Sequence, residues 1–91
     1  MSALKLYETL SGISGDMVLA AEVGDWDRLI ELERTVARLR DQLSAADAGA
    51  NLNDAERAHK VHLIKRILAD DRKVRSFTEP WMEQVRRFLG D

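Results

Sequence analysis

From Val61 to Leu89, apolar residues recur at helical spacing over a longer run than anywhere else in the chain. At about 100° per residue, Val61, Ile64, Ile67, Leu68, Val74, Trp81, Val85, Phe88 and Leu89 share one broad face. Their slow drift around the axis is that of a repeat near 3.5 residues on a helix of about 3.6, which predicts gentle left-handed coiling against neighbours. Lys65, Arg66, Lys73, Ser76, Glu83 and Arg87 fill the opposite face. The pattern predicts a long amphipathic helix over about residues 53–89, around which the rest of the chain is organised.

Two shorter runs precede it. Leu6, Leu10, Ile13, Met17 and Ala20 alternate at spacings of four and three, predicting a first helix over about 3–23. Gly12 and Gly15 soften it by about 1 kcal/mol each relative to alanine, or else admit a close neighbour. Leu29, Leu32, Val36, Leu39, Leu43 and Ala46 predict a second helix over about 26–48. Between the two, Gly24 suits a left-handed helix end and Asp25 suits the next N-cap. Asn53 followed by Glu56 resembles a capping box that starts the third helix. Strand signals are missing.

The reading is an all-α fold: one small antiparallel bundle of three helices in a single domain, residues 1–91. The short turn at 47–53 makes the second and third helices antiparallel neighbours. Pro80 either kinks the third helix or breaks it, since it removes a backbone hydrogen bond and crowds the carbonyl of Ser76. The apolar phase passes through Pro80 undisturbed, which favours a kinked continuation. Helices of some 20 residues cannot cover a third of near 55 Å. Apolar surface around Phe77, Trp81, Val85 and Phe88 is therefore expected to stay open, as partner sites do.

Charge changes this picture only slightly. Residues 1–51 carry five basic and nine acidic groups, residues 52–91 nine and seven. An acidic N-terminal half packed on a basic long helix accounts for the asymmetry, and a net charge of −2 leaves no cationic footprint for nucleic acid. Asp71 and Arg75 are four apart in the favoured order for an intrahelical ion pair. They form either a half-exposed pair at the stripe's edge or a polar layer that sets a partner's register.

Candidate chemistry is sparse. There is no cysteine, and no stretch approaches the roughly 20 apolar residues of a membrane span. Nor is there an apolar leader at the N-terminus, so the expected location is cytoplasmic. Glu56 and His59 have the spacing of one half of a di-iron motif, but a di-iron bundle needs two. No nucleophile elbow or phosphate loop is present. The expectation is a protein that is not an enzyme and uses no cofactor or metal.

Two stretches carry a resemblance. Met17-Val-Leu-Ala-Ala-Glu-Val-Gly-Asp-Trp-Asp-Arg-Leu-Ile-Glu-Leu-Glu33 and Ile64-Lys-Arg-Ile-Leu-Ala-Asp-Asp-Arg-Lys-Val-Arg-Ser-Phe-Thr-Glu-Pro-Trp81 resemble the flagellar FliT family, in helix order and length over nearly the whole chain. The resemblance implies a cytoplasmic chaperone of flagellar type III export. Such a protein binds the C-terminal segment of the filament-cap protein, FliD, prevents its early assembly and aids delivery to the export ATPase complex. Some relatives also restrain the flagellar master regulator of transcription. Longer relatives cover the groove with a further C-terminal helix; the resemblance implies such self-inhibition here only if the segment after Pro80 serves in its place. A client helix would lie in a groove lined from the second and third helices. The residues expected there are Val36, Leu39, Leu43, Ile64, Leu68, Asp71, Phe77 and Trp81. The alternative is a helical adaptor that forms a homodimer through the same stripe, with no export role.

Overall fold

The computed structural model describes residues 2–90, which form three helices: α1 (Ala3–Val23), α2 (Trp26–Ala48) and α3 (Asp54–Phe88). Each boundary has a local chemical cause. Ser2 Oγ caps α1 by accepting from the Lys5 amide. Gly24 ends that helix in the left-handed region at φ 74°, returning its amide to the carbonyls of Ala20 and Ala21, a conformation that costs a side-chain-bearing residue most. Asp25 then caps α2 through Arg28 N–H. At α3 the capping box is complete: Asn53 Oδ1 accepts from the Glu56 amide at 2.8 Å, and Glu56 Oε1 from the Asn53 amide at 3.1 Å.

The helices run up, down and up, and the order of packing corrects the sequence reading. α2 and α3 do not pack backbone against backbone: both dock on α1, and they meet each other through side chains, Asp47 with Lys60 and Trp26 with Trp81. The physical reason is in α1 itself, the most apolar of the three and buried on several sides at Ala3, Leu6, Leu10, Ser11, Ser14, Ala20 and Ala21. α1, not α3, is thus the element on which the bundle is organised. Its glycines do not create close approaches: a methyl group on Gly12 or Gly15 would meet nothing within 4 Å.

The packed face of α3 is also rotated from the one the apolar pattern suggests. Leu63 and Val74 are buried, whereas Val61 is 49% and Leu68 52% exposed. Two polar residues belong to the packed face. Lys60 reaches Asp47 on α2, and Asp70 reaches Ser14 on α1, at 2.9 and 2.7 Å. A hydrophobic average over the helix cannot see such positions.

α3 continues without interruption through Pro80, so the terminal segment is not a separate helix. Thr78, the cap such a helix would need, instead directs its hydroxyl to the Arg75 carbonyl. At 1.5 Å per residue, the 35 residues of α3 span about 52 Å, which matches the 52 Å long axis of the molecule. The 21 residues of α1 cover only about 31 Å of it. The accessible surface, 6580 Å², exceeds by about 1,200 Å² that of a compact monomer of this mass. Exposed apolar side chains stand where α3 outruns α1, with Met82 at 44%, Phe88 at 90% and Leu89 at 73%, and also on α1 and α2, with Leu19 at 61%, Val23 at 79% and Ile30 at 48%.

Candidate functional site

Because the other two helices both dock on α1, a groove opens between α2 and α3 with α1 as its floor. Leu10, Ser14 and Met17 form the floor, Val36 and Arg40 the α2 wall, and Ile67, Leu68, Asp71, Val74 and Arg75 the α3 wall. Its volume is about 280 Å³, and it is open to solvent along its length between the two walls. The space suits side chains projected from a partner's surface. The lining is mostly aliphatic and methionine, the latter able to adapt to irregular shapes.

The expected site residues divide. Val36, Leu68 and Asp71 line the groove. Leu39, Leu43 and Ile64 are half-buried on their helices but do not line it. Phe77 (38% exposed) and Trp81 (41%) stand farther along α3, and the Trp81 indole is stacked on that of Trp26 in α2. Periodicity placed Leu10, Met17, Ile67 and Val74 on helix stripes without assigning them to the groove, since that requires knowing which helix lies in the middle. Arg40 was missed altogether. Its signal was present, one helical turn beyond Val36 and at the flank of the α2 stripe.

Electrostatically, the α3 wall is settled. Arg75 Nη2 lies 3.1 Å from Asp71 Oδ2, both side chains being about half exposed or more. That matches the edge-of-stripe reading of the pair, and water screens it strongly. Behind the groove, the Ser14 hydroxyl stands 2.7 Å from Asp70 Oδ2 and 2.8 Å from the Ser11 carbonyl. Asp70 and Asp71 therefore serve different helix faces.

The three helices meet a second time at the other end of the bundle. Tyr7 from α1 donates its hydroxyl to Asp47 Oδ2 of α2 at 3.3 Å. Lys60 from α3 donates to Asp47 Oδ1 and sits 5.2 Å from the centre of the Tyr7 ring. Burial, with Asp47 beside it, pushes the Tyr7 phenol above its ordinary value of 10.0. The hydrogen bond to Asp47 raises the Lys60 ammonium above 10.5. Nearby, His59 Nε2 lies 3.4 Å from Glu8 Oε1 at the surface. Among the described residues no group of three or more His, Cys, Asp or Glu is placed to hold a metal ion, and no helix is long and apolar enough to cross a membrane.

Fold and groove together define a small helical bundle with an open inter-helix furrow and an apolar overhang. Residues 4–91 match the family model described as Flagellar protein FliT, and the chain belongs to that family. Among solved structures it is similar to the crystal structure of flagellar protein FliT from Bordetella bronchiseptica. The TM-score is 0.84 at 24% identity, over 94% of this chain and 98% of that one. No curated protein matches it.

Proposed function

We propose that this protein is a cytoplasmic export chaperone of the flagellar type III system that holds the C-terminal segment of the filament-cap protein, FliD, as an amphipathic helix. The observation carrying this reading is the open groove over α1, supported by the exposed apolar side chains farther along α3. An entering helix places successive apolar turns over Met17, Val36, Ile67 and Leu68, then against Phe77 and Trp81. Each large side chain withdrawn from water contributes about 1.5–3 kcal/mol before ordering costs. While the segment is held it cannot take part in cap assembly, and release at the export ATPase complex would complete the cycle. Contact with the flagellar master regulator rests on the family resemblance alone.

Titrating the full chain with a peptide of that segment tests the reading. Saturable binding with a gain in helicity is expected, weakened by about tenfold in Phe77→Ala or Trp81→Ala with the bundle's own helicity intact. Absence of binding overturns it. The exposed Met82, Phe88 and Leu89 at the end of α3 favour one other reading, a homodimeric helical adaptor. Sedimentation would then show a tight dimer indifferent to the peptide.

A further inference from the structure

Arg40 is exposed on the α2 wall of the groove and has no ion-pair partner among the described residues. On the opposite wall Arg75 is already engaged with Asp71. Asp70 is turned to Ser14 and does not line the groove. The neighbouring cations of α2, Arg34 and Arg38, lie with Glu31 at a separate depression on the outside of that helix. The lining thus sets one carboxylate against two guanidinium groups, and the unmatched charge belongs to Arg40.

An aliphatic trough with one unmatched guanidinium at its lip has a complement of defined chemistry. We infer that Arg40 is a specificity-determining residue, selecting an amphipathic helix that carries a carboxylate one turn from the apolar residue seated between Val36 and Leu68. This rests on the groove-binding reading above and adds to it the charge of the client. Guanidinium suits the task because its planar donors meet a carboxylate in two parallel hydrogen bonds. In the free protein such a pair would be screened. Under a docked helix the same two groups lose much of their water, which strengthens their attraction and penalises a client with the wrong sign.

The test titrates the full-length protein with the C-terminal segment of the filament-cap protein at low and high salt. Arg40→Gln is expected to weaken binding about fivefold and Arg40→Glu by more, both losses shrinking as salt rises. Changing the segment's acidic residues beside its apolar stripe to amides is expected to weaken binding to the native protein but not further to Arg40→Gln. Changing them to lysine is expected to restore binding to Arg40→Glu, which a folding defect would not allow. Equal, saturable affinity of the native protein and Arg40→Glu overturns this inference and leaves the groove reading standing. A loss in Arg40→Glu that the lysine-bearing segment fails to restore also overturns it. No binding of the segment to the native protein overturns both.

Discussion

The indole of Trp26, in the first turn of α2, stacks on that of Trp81, beyond Pro80 on α3, with ring centroids 5.3 Å apart and planes 27° from parallel. Trp26 also packs against the core cluster of Ala20, Ala21, Leu29, Leu32 and Val74. The stack ties the C-terminal part of α3 to the first turn of α2, just past the Gly24 end of α1. Trp26→Ala removes both the core packing and the stack, and is expected to cost about 2–3 kcal/mol. Trp81→Ala, on the more exposed partner, is expected to cost nearer 1 kcal/mol. A double-mutant cycle by chemical denaturation should return a coupling of about 0.5–1.5 kcal/mol. Additive losses would mean that the rings are merely adjacent. These are the chain's two tryptophans, so near-ultraviolet circular dichroism reports the stack directly.

Ser14 and Asp70 join α1 to α3 behind the groove. Ser14 is buried at 7% exposure, and its single proton is shared between the Asp70 carboxylate and the Ser11 carbonyl. Ser14→Ala leaves the carboxylate without that donor, and is expected to lower stability by about 1–2 kcal/mol. Asp70→Asn keeps an acceptor oxygen and is expected to cost less. Urea denaturation of the two variants checks the order, and the reverse order would remove the hydrogen bond as the cause.

The network of Tyr7, Asp47 and Lys60 predicts alkaline sensitivity. Folding raises the pKa of the phenol and of the ammonium above their ordinary values. For both groups the protonated form is the one the fold favours. Their contribution is therefore fully present below the unfolded-state pKa values, and is lost as pH rises through the higher folded-state values. Stability is expected to be flat up to about pH 9 and to fall above about pH 10. Tyr7→Phe should flatten part of that fall, and Asp47→Asn should move the phenol's ultraviolet titration back toward its ordinary range. An unchanged titration in Asp47→Asn would assign the shift to burial alone.

Much of the fold was legible in sequence because its punctuation is local chemistry. Gly24, Asp25 and the Asn53–Glu56 box act within a turn or two of themselves, so helix ends could be read without knowing what packs where. The identity of the central helix was not legible. It depends on α1 being apolar on more than one side, so that both other helices dock on it despite the short turn that joins them. The same long-range ignorance misplaced the packed face of α3, where Lys60 and Asp70 are held by hydrogen bonds that no periodicity encodes. The candidate site inherited both errors. Residues on the facing stripes, Val36 and Leu68, were found, while floor residues such as Leu10 and Met17 waited for the topology.

Pro80 bears on how firmly the overhang is held. α3 passes through it, yet the ring cannot donate the amide hydrogen that the Ser76 carbonyl would accept, and it crowds that carbonyl. Residues Trp81–Phe88 are therefore joined to the bundle by a weakened turn and by the Trp26–Trp81 stack, with few other buried contacts. Such a segment belongs to the low-stability end of the structure and opens locally without global unfolding. Pro80→Ala restores the missing hydrogen bond at an exposed position, where proline costs about 3 kcal/mol relative to alanine in a helix interior. Amide exchange at 82–88 is expected to slow by about tenfold or more in Pro80→Ala, with little change at Leu63 or Leu10 in the bundle. Adding Trp81→Ala should speed exchange over the same residues again, since it removes the tether without reintroducing the break. Exchange at 82–88 that ignores Pro80→Ala would show that the stack, and not the continuity of α3 through Pro80, sets the order of the overhang.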